Sequence, residues 1–128
     1  MGSFAADHKI ANTDEFHRSL RTAITSAEAG YLTTIGIEPG HPETGYGYIE
    51  RSHDLALPGA YFARRFVEKP DLDTAQRFIE SGRYLWNASM FVWRVDVFLR
   101  EFERAQHELF SALHHIANYW DDPERADE

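Results

Sequence analysis

The chain has 128 residues, a length that predicts one domain with a hydrophobic core that needs no disulfide bonds. Its formal charge of −8, from 21 acidic against 13 basic side chains, excludes DNA or RNA as the expected partner, because a phosphate backbone requires clustered cations. The sequence has no cysteine, no run of about 20 apolar residues and no signal-peptide pattern, so we expect a cytoplasmic protein without a membrane segment.

The first third of the chain predicts a strand, a helix and a second strand. Residues 2–6 are small and apolar and predict a short buried strand that ends at Asp7, and ligands of α/β sheets bind at such strand ends. Asn12 followed by Glu15 predicts a helix start, and apolar residues at helical spacing continue until Gly30. Residues that favour strands then follow, which indicates an α/β layer.

The rest of the chain predicts further strands and two more helical regions. A polar loop that includes His53 and Asp54 separates two strand patterns, and Asp71 predicts the N-cap of a helix that ends near Gly82. A last helical region begins near the capping residue Asp96 and breaks near Gln106. The strands predicted after the first helix are residues 31–37, 61–68 and 84–94. We expect one α/β domain over residues 1–120, followed by an acidic tail at residues 121–128.

The stretch from Pro42 to Glu50 is the most distinctive part of the sequence. It places Gly45 and Gly47 among aromatic and acidic residues, and a glycine allows a close approach of the backbone or a positive φ. Aromatic faces suit the C–H surfaces of a sugar, while Glu43, Thr44 and backbone amides suit its hydroxyls. The alternative interpretation is a tight turn that enters a strand.

Three further segments accompany this stretch in a fixed order. They are residues 2–8 (GSFAADH), 66–70 (FVEKP) and 86–91 (WNASMF). Together with ETGYGYI at residues 43–49, they resemble the motifs of sugar-1-phosphate nucleotidyltransferases, and most closely those of bacterial mannose-1-phosphate guanylyltransferases. The likeness extends from about Gly2 to about Trp120, and four ordered motifs over most of a chain form a specific signal.

The resemblance implies a Rossmann-like, GT-A-like mixed sheet with flanking helices. The implied reaction joins GTP and mannose-1-phosphate, yields GDP-mannose and pyrophosphate, and uses Mg²⁺. Such a transfer is driven mainly by positioning the reactants and neutralising the charge of their phosphates, so it requires no protein nucleophile.

The resemblance also implies roles for particular residues. Asp7 is the implied metal ligand, and Lys69 is the implied catalytic cation that pairs with the sugar's phosphate. Glu68 accepts a hydrogen bond from a sugar hydroxyl, and Asn87 recognises adjacent hydroxyls. The other implied substrate-binding residues are Glu43, Thr44, Gly45 and Tyr46.

Each of these roles has a structural alternative. Asp7 also fits a turn cap, and Glu68 with Lys69 also fits a surface ion pair at a strand end. The family motif has Ser-Gly where this chain has Ala88 and Ser89, and a serine in place of glycine restricts the backbone there or fills part of the pocket.

Two parts of the family's site have no counterpart in the 128 residues. They are the Gly-rich nucleotide loop of the GGxGTRLWP type, placed by the resemblance before Asp7, and a second metal-binding aspartate after the last helix. We therefore expect an inactive piece that lacks the N-terminal nucleotide-binding unit and carries the sugar-phosphate half of the site, with GTP bound only in a completed enzyme. The alternative is a non-catalytic module that binds a sugar phosphate or a partner subunit, and a homo-oligomer is left open.

Overall fold

The computed structural model describes residues 1–120 and confirms the α/β class. The acidic tail expected at residues 121–128 lies outside the described residues. The elements are β1 (Gly2–Ser3), α1 (Thr13–Glu28), β2 (Thr33–Ile37), β3 (Gly47–Asp54), β4 (Tyr61–Glu68), α2 (Leu72–Ser81), β5 (Tyr84–Val92), α3 (Val95–Ala105) and α4 (His107–Tyr119).

The five strands form one sheet around β5. Trp86 of β5 pairs with Ile37 of β2 on one side and with Tyr48 of β3 on the other, and Val92 pairs in the same way with β2 and β1. β4 continues the sheet beyond β3 as its hairpin partner. Every pairing described in residues 1–120 is antiparallel, whereas the mixed sheet of the family resemblance implies parallel pairs as well.

Two small apolar clusters hold the helices on the sheet. Phe78 of α2 stacks on Tyr84 of β5, with ring centroids 3.8 Å apart and planes 9° from parallel, and also contacts Tyr48 of β3. The second cluster joins Ala23 and Ala27 of α1 to Val92 of β5. Both helices therefore bury their small or aromatic side chains against the strand that organises the sheet.

The helix signals in the sequence are mostly confirmed. The side chain of Asn12 accepts a hydrogen bond from Glu15 N at 3.1 Å, and that of Asp71 accepts one from Thr74 N at 2.7 Å. Gly82 ends α2 in the left-handed conformation, as expected for a C-terminal glycine. The expected break near Gln106 is also present, between α3 and α4.

Three sequence expectations were wrong in detail. β1 spans only two residues and is exposed, because it pairs along one edge alone, with β5. β3 extends through His53 to Asp54, residues expected in a loop, because pairing of Asp54 with Tyr61 continues the hairpin ladder while the polar side chains remain in solvent. α3 begins at Val95, so Asp96 lies in its first turn and does not cap it.

The described chain divides into two compact units, Met1–Arg94 and a second that begins at Val95. The first unit contains all five strands and all four motifs. In the second unit, the ring of Phe102 in α3 contacts that of Phe110 in α4, with centroids 5.9 Å apart. A single domain over residues 1–120 stays a prediction. Of the helices in residues 1–120, none combines the length and the apolar character that membrane crossing requires.

Glu50 is a buried charged residue of the first unit and connects three strands. Arg65 of β4 donates from Nε to Glu50 Oε2 at 2.7 Å and from Nη2 to the Tyr84 hydroxyl of β5 at 2.6 Å. Burial raises the pKa of Glu50 and is the largest single influence, but hydrogen bonds with Tyr84 and Arg65 and the charges of Arg65 and Arg64 together outweigh it. The pKa of Glu50 therefore lies below the ordinary value of a glutamate, and the carboxylate is charged at neutral pH.

Candidate functional site

The loop before β3 is held in shape by hydrogen bonds of Glu43. Its Oε1 accepts a hydrogen bond from Gly45 N at 2.8 Å. The Tyr48 hydroxyl accepts one from Glu43 N at 3.0 Å and donates one to Glu43 O at 2.9 Å. The Gly45 N–H is the main cause that lowers the pKa of Glu43 below its ordinary value. Glu43 is thus a charged side chain that orders its own loop, while Thr44 lies exposed beside it.

The two glycines of the stretch serve close approach, since neither Gly45 nor Gly47 has a positive φ. A Cβ atom on Gly47 would lie 2.7 Å from Glu68 Oε2 and 3.6 Å from Asn87 Cβ. The missing side chain therefore lets the carboxylate at the end of β4 and the amide of β5 approach the same point of β3. These residues are 21 and 40 positions beyond Gly47 in the sequence, and the sheet brings them together.

The end of β4 departs from ordinary strand geometry at Lys69, whose φ is +44°. This breaks the alternation of side chains, and Lys69 Nζ lies 3.9 Å from Glu68 Oε1 on the same side of the chain. Lys69 N donates a hydrogen bond to Tyr46 O at 3.2 Å, which fixes the strand end to the loop. Both charged side chains are mostly exposed, so their mutual attraction is weak and both are accessible to a ligand.

Asn87 is oriented by a second residue with positive φ, Ser89, at +53°. The Oδ1 atom of Asn87 accepts a hydrogen bond from Ser89 N at 3.1 Å. Thr34 Oγ1 lies 3.4 Å from the same atom and 3.2 Å from Met90 O, and its single proton is shared between these two acceptors. Its Nδ2 group makes no hydrogen bond within the described part of the chain and is free to donate. A left-handed conformation explains why the family motif has glycine where this chain has Ser89, since it costs an L-residue about 1–2 kcal/mol.

Lys69 and Ser89 are the non-glycine residues with positive φ among residues 1–120, and both lie in this site. Such conformations persist where the surroundings impose them, and they concentrate at functional sites. Lys69 directly follows the last residue of β4, and Ser89 lies where the register between β2 and β5 shifts. Both conformations therefore occur at irregular points of the sheet that belong to the candidate site.

Asp7 is the implied site residue that no described contact joins to the others. It lies exposed in the turn after β1 and makes no hydrogen bond or ion pair within residues 1–120. No group of three metal-ligating side chains occurs in that part of the chain. A single free carboxylate nevertheless fits Mg²⁺, an ion that commonly takes one or two protein carboxylates together with phosphate oxygens and water.

Sequence reasoning missed three residues that shape the site. The Tyr48 hydroxyl holds the backbone of Glu43 in place, and the Thr34 hydroxyl lies beside Asn87 Oδ1 and Met90 O. The third is His41, whose Nε2 atom lies 3.5 Å from Glu43 Oε2. The position of His41 next to the glycine stretch was a signal that could have found it, whereas Thr34 is 53 residues from Asn87 and carries no such signal.

Comparison with known proteins bears on the same region. Residues 1–122 match the family model described as Nucleotidyl transferase. The mannose-1-phosphate guanylyltransferase of Escherichia coli (strain K12) is 45% identical over 111 residues, which cover 84% of this chain and 23% of that protein. A mannose-1-phosphate guanylyltransferase of Klebsiella pneumoniae is 41% identical over 116 residues, 89% of this chain and 25% of that protein. The chain thus spans about a quarter of the length of these curated relatives.

Solved structures share the fold. The crystal structure described as mannose-1-phosphate geranyltransferase from Thermus thermophilus aligns with a TM-score of 0.75 and 32% identity, over 88% of this chain and 33% of that one. Mannose-6-phosphate isomerase from Helicobacter pylori aligns with a TM-score of 0.73 and 33% identity, over 86% of this chain and 41% of that one. The family model, the relatives and the fold agree, and this chain belongs to the nucleotidyl transferase family.

Proposed function

We propose that this chain binds mannose-1-phosphate and supplies the sugar-phosphate half of a mannose-1-phosphate guanylyltransferase site. The observation that carries the proposal is the coincidence of both strained non-glycine residues, Lys69 and Ser89, with the motifs of the family. Ser89 lies where the register between β2 and β5 shifts, between the pairs Thr34–Phe91 and Gly36–Asn87, and Lys69 directly follows the last residue of β4. Irregular backbone at bulges and strand ends is common next to active sites.

The residues of the site match the chemistry of a sugar phosphate. The Lys69 ammonium pairs with the phosphate, and Glu68 beside it accepts a hydrogen bond from a sugar hydroxyl. Asn87 donates from Nδ2, because its Oδ1 is already used by the backbone. The backbone around Gly45 and the ring of Tyr46, which is half exposed, form the remaining surface for the sugar.

In a completed enzyme, an oxygen of the sugar's phosphate attacks the α-phosphorus of GTP, the bond to the β-phosphate breaks, and pyrophosphate leaves. Bound Mg²⁺ supplies charge neutralisation on these phosphates, and Asp7 is the residue of this chain that would hold it. Lys69 holds the acceptor phosphate in line and offsets its charge, which is the main form of catalysis available without a nucleophile.

The names of the relatives support the choice of substrate, since two of them are mannose-1-phosphate guanylyltransferases at 45% and 41% identity. A cytoplasmic location is part of the proposal. The second candidate is a module that binds the sugar phosphate without turnover. The GGxGTRL-type loop that the first candidate needs for GTP does not occur among the 128 residues. The two candidates share the sugar-phosphate site and differ in nucleotide transfer.

Calorimetric titration of the 128-residue chain with mannose-1-phosphate and with mannose tests the shared proposal. We expect Lys69→Ala to weaken mannose-1-phosphate binding by roughly ten- to a hundred-fold, because it removes a charge-assisted hydrogen bond worth about 1.5–3 kcal/mol. Binding of uncharged mannose should not change, since Lys69 meets only the phosphate.

Arg77→Ala is the control for lost positive charge, because Arg77 is an exposed residue of α2 that contacts Thr74. It should bind both ligands as the unaltered chain does. Equal affinity of the unaltered chain and Lys69→Ala for mannose-1-phosphate would remove Lys69 from the site. No binding by the unaltered chain would refute the proposed function itself.

A further inference from the structure

Two aromatic rings from the loop before β3 contact a single indole. The ring centroid of His41 lies 5.0 Å from that of Trp86, and the centroid of Tyr46 lies 5.4 Å from it. Both contacts are edge-to-face, with interplanar angles of 71° and 88°. Because His41 precedes and Tyr46 follows the Glu43–Gly45 segment, Trp86 contacts the loop on both sides of that segment.

Trp86 is well suited to hold a loop in place. It lies in β5, paired on one side with β2 and on the other with β3, and packs against the cluster around Tyr48 and Phe78. Its Nε1 atom is buried and has no hydrogen-bond partner within the described residues. An unpaired buried N–H costs stability, so the residue contributes through its ring and not through a hydrogen bond in this part of the structure.

His41 also reaches the carboxylate that orders the loop. Its Nε2 lies 3.5 Å from Glu43 Oε2, while Glu43 Oε1 accepts the hydrogen bond from Gly45 N. The imidazole therefore connects Trp86 to Glu43, and Glu43 connects to the glycine backbone. The ring of Tyr46 also contacts Trp86, and the Tyr46 carbonyl accepts a hydrogen bond from Lys69 N.

We propose that His41 is a positioning residue for the sugar phosphate, which acts by clamping the loop of residues 41–46 on Trp86. The clamp presents the backbone around Gly45 to the sugar and holds Tyr46 O where it fixes the Lys69 backbone. This inference rests on the proposed function, because His41 can position a sugar phosphate only if the loop of residues 41–46 binds one. The side chain of His41 is 62% exposed, so its removal should affect the loop and leave the fold intact.

Three variants separate the two contacts of His41. His41→Ala removes both, His41→Phe keeps a ring against Trp86 but loses the contact with Glu43, and His41→Gln keeps a hydrogen-bond donor but loses the ring. The matched control is His53→Ala, since His53 is also exposed and also contacts an aromatic ring, that of Phe62 at 4.6 Å, outside this loop.

Two measurements are made on the 128-residue chain, namely mannose-1-phosphate affinity by calorimetry and amide hydrogen exchange at Gly45 without ligand. We expect His41→Ala to weaken binding about three- to ten-fold and to speed exchange of the Gly45 amide, with partial rescue in His41→Phe and His41→Gln. The melting temperature of His41→Ala should match that of the unaltered chain. His53→Ala should match the unaltered chain in both mannose-1-phosphate affinity and Gly45 exchange.

The outcomes distinguish this inference from the proposal on which it depends. If the unaltered chain binds mannose-1-phosphate and His41→Ala binds it equally well, the inference is overturned and the proposed function stands. Unchanged exchange at Gly45 in His41→Ala would overturn the clamp independently of any ligand. If the unaltered chain does not bind, both the proposed function and the positioning role are overturned.

Discussion

Ser89 occupies a backbone conformation that glycine adopts more easily. Its φ of +53° is maintained although its own side chain is exposed, so the constraint acts on the backbone. The register between β2 and β5 shifts at this point, between the pairs Thr34–Phe91 and Gly36–Asn87, so Ser89 lies in an irregularity of the sheet where the chain bends. The hydrogen bond from Ser89 N to Asn87 Oδ1 forms in the same irregularity and orients Asn87, a proposed sugar-binding residue.

Ser89→Gly should therefore stabilise the chain. The substitution relieves a left-handed cost of about 1–2 kcal/mol and adds up to about 1 kcal/mol of unfolded-state entropy, so we expect a net gain of about 0.5–1 kcal/mol in the free energy of unfolding. The backbone N–H at position 89 remains, so Asn87 should keep its orientation and mannose-1-phosphate affinity should not change. Urea denaturation measures the first effect and calorimetry the second.

The control for this substitution is Ser52→Gly, at an exposed position of β3 where φ is not positive. There glycine brings its entropic cost and removes an exposed hydrogen bond between Ser52 Oγ and His53 Nδ1, so we expect a loss of at least about 0.5–1 kcal/mol. A loss of the same size in Ser89→Gly would mean that the left-handed conformation at Ser89 carries no strain.

At the scale of elements, Glu50 joins β3, β4 and β5 through Arg65 and Tyr84. Its folded-state pKa is lowered, so between that pKa and the unfolded value of about 4.3 the unfolded chain binds more protons. The stability contributed by Glu50 is therefore fully present above about pH 4.3 and is lost as the pH falls through the lower folded pKa. At neutral pH the carboxylate stabilises the strands that carry the candidate site.

Glu50→Gln should lower the urea midpoint at pH 7, because a neutral amide cannot replace the carboxylate between Arg65 and Tyr84. As the pH falls below about 4, protonation makes the unaltered glutamate resemble the amide, so the two stability curves should converge. Glu28→Gln, at an exposed position of α1, should change the urea midpoint at pH 7 far less than Glu50→Gln does. A difference between Glu50→Gln and the unaltered chain that persists unchanged in acid would show that the charge of Glu50 is not the cause.

Individual strands and helices differ in how far the local sequence predicts them. β4 and α2 were predicted closely, because a strand pattern ending before Pro70 and a cap at Asp71 with a glycine at the far end are local signals. The end of β3 was missed, because its last residues are polar and join the sheet only through pairing with β4. Propensity cannot report a partner strand that is distant in sequence.

The residues of the candidate site were predictable from motifs, whereas their backbone conformations were not, because these depend on contacts between distant strands. Glu68 and Asn87 were chosen by resemblance, and the structure brings both beside Gly47, where a Cβ atom would require the exposed Glu68 carboxylate to move. The positive φ of Lys69 had no signal in the sequence, since lysine rarely adopts it and it occurs where β4 ends beside the loop at Tyr46. Motifs identify the residues of such a site, but the conformations that align them depend on contacts between strands.

At the scale of the whole molecule, the proposed site corresponds to the acceptor half of a two-substrate reaction. The glycine loop, Glu68, Lys69 and Asn87 lie together in the unit Met1–Arg94. Its 128 residues contain no GGxGTRL-type stretch, the kind of backbone-rich basic loop that holds a triphosphate in the family. The proposed binding of the acceptor sugar can therefore be tested on these 128 residues apart from nucleotide transfer.

We expect the purified 128-residue chain to bind mannose-1-phosphate and yet release no detectable pyrophosphate from GTP in the presence of Mg²⁺. Alignment of two bound reactants contributes as much as about 7–11 kcal/mol to such a rate, and the chain aligns only one of them. A coupled pyrophosphate assay measures the release, with the mannose-1-phosphate guanylyltransferase of Escherichia coli, its 45% identical relative, as the active control. Lys69→Ala serves as the background variant, because it removes the acceptor's phosphate contact. Pyrophosphate release that depends on Mg²⁺, rises with protein concentration and disappears in Lys69→Ala would mean that residues of this chain also hold the triphosphate, and the half-site interpretation would be wrong.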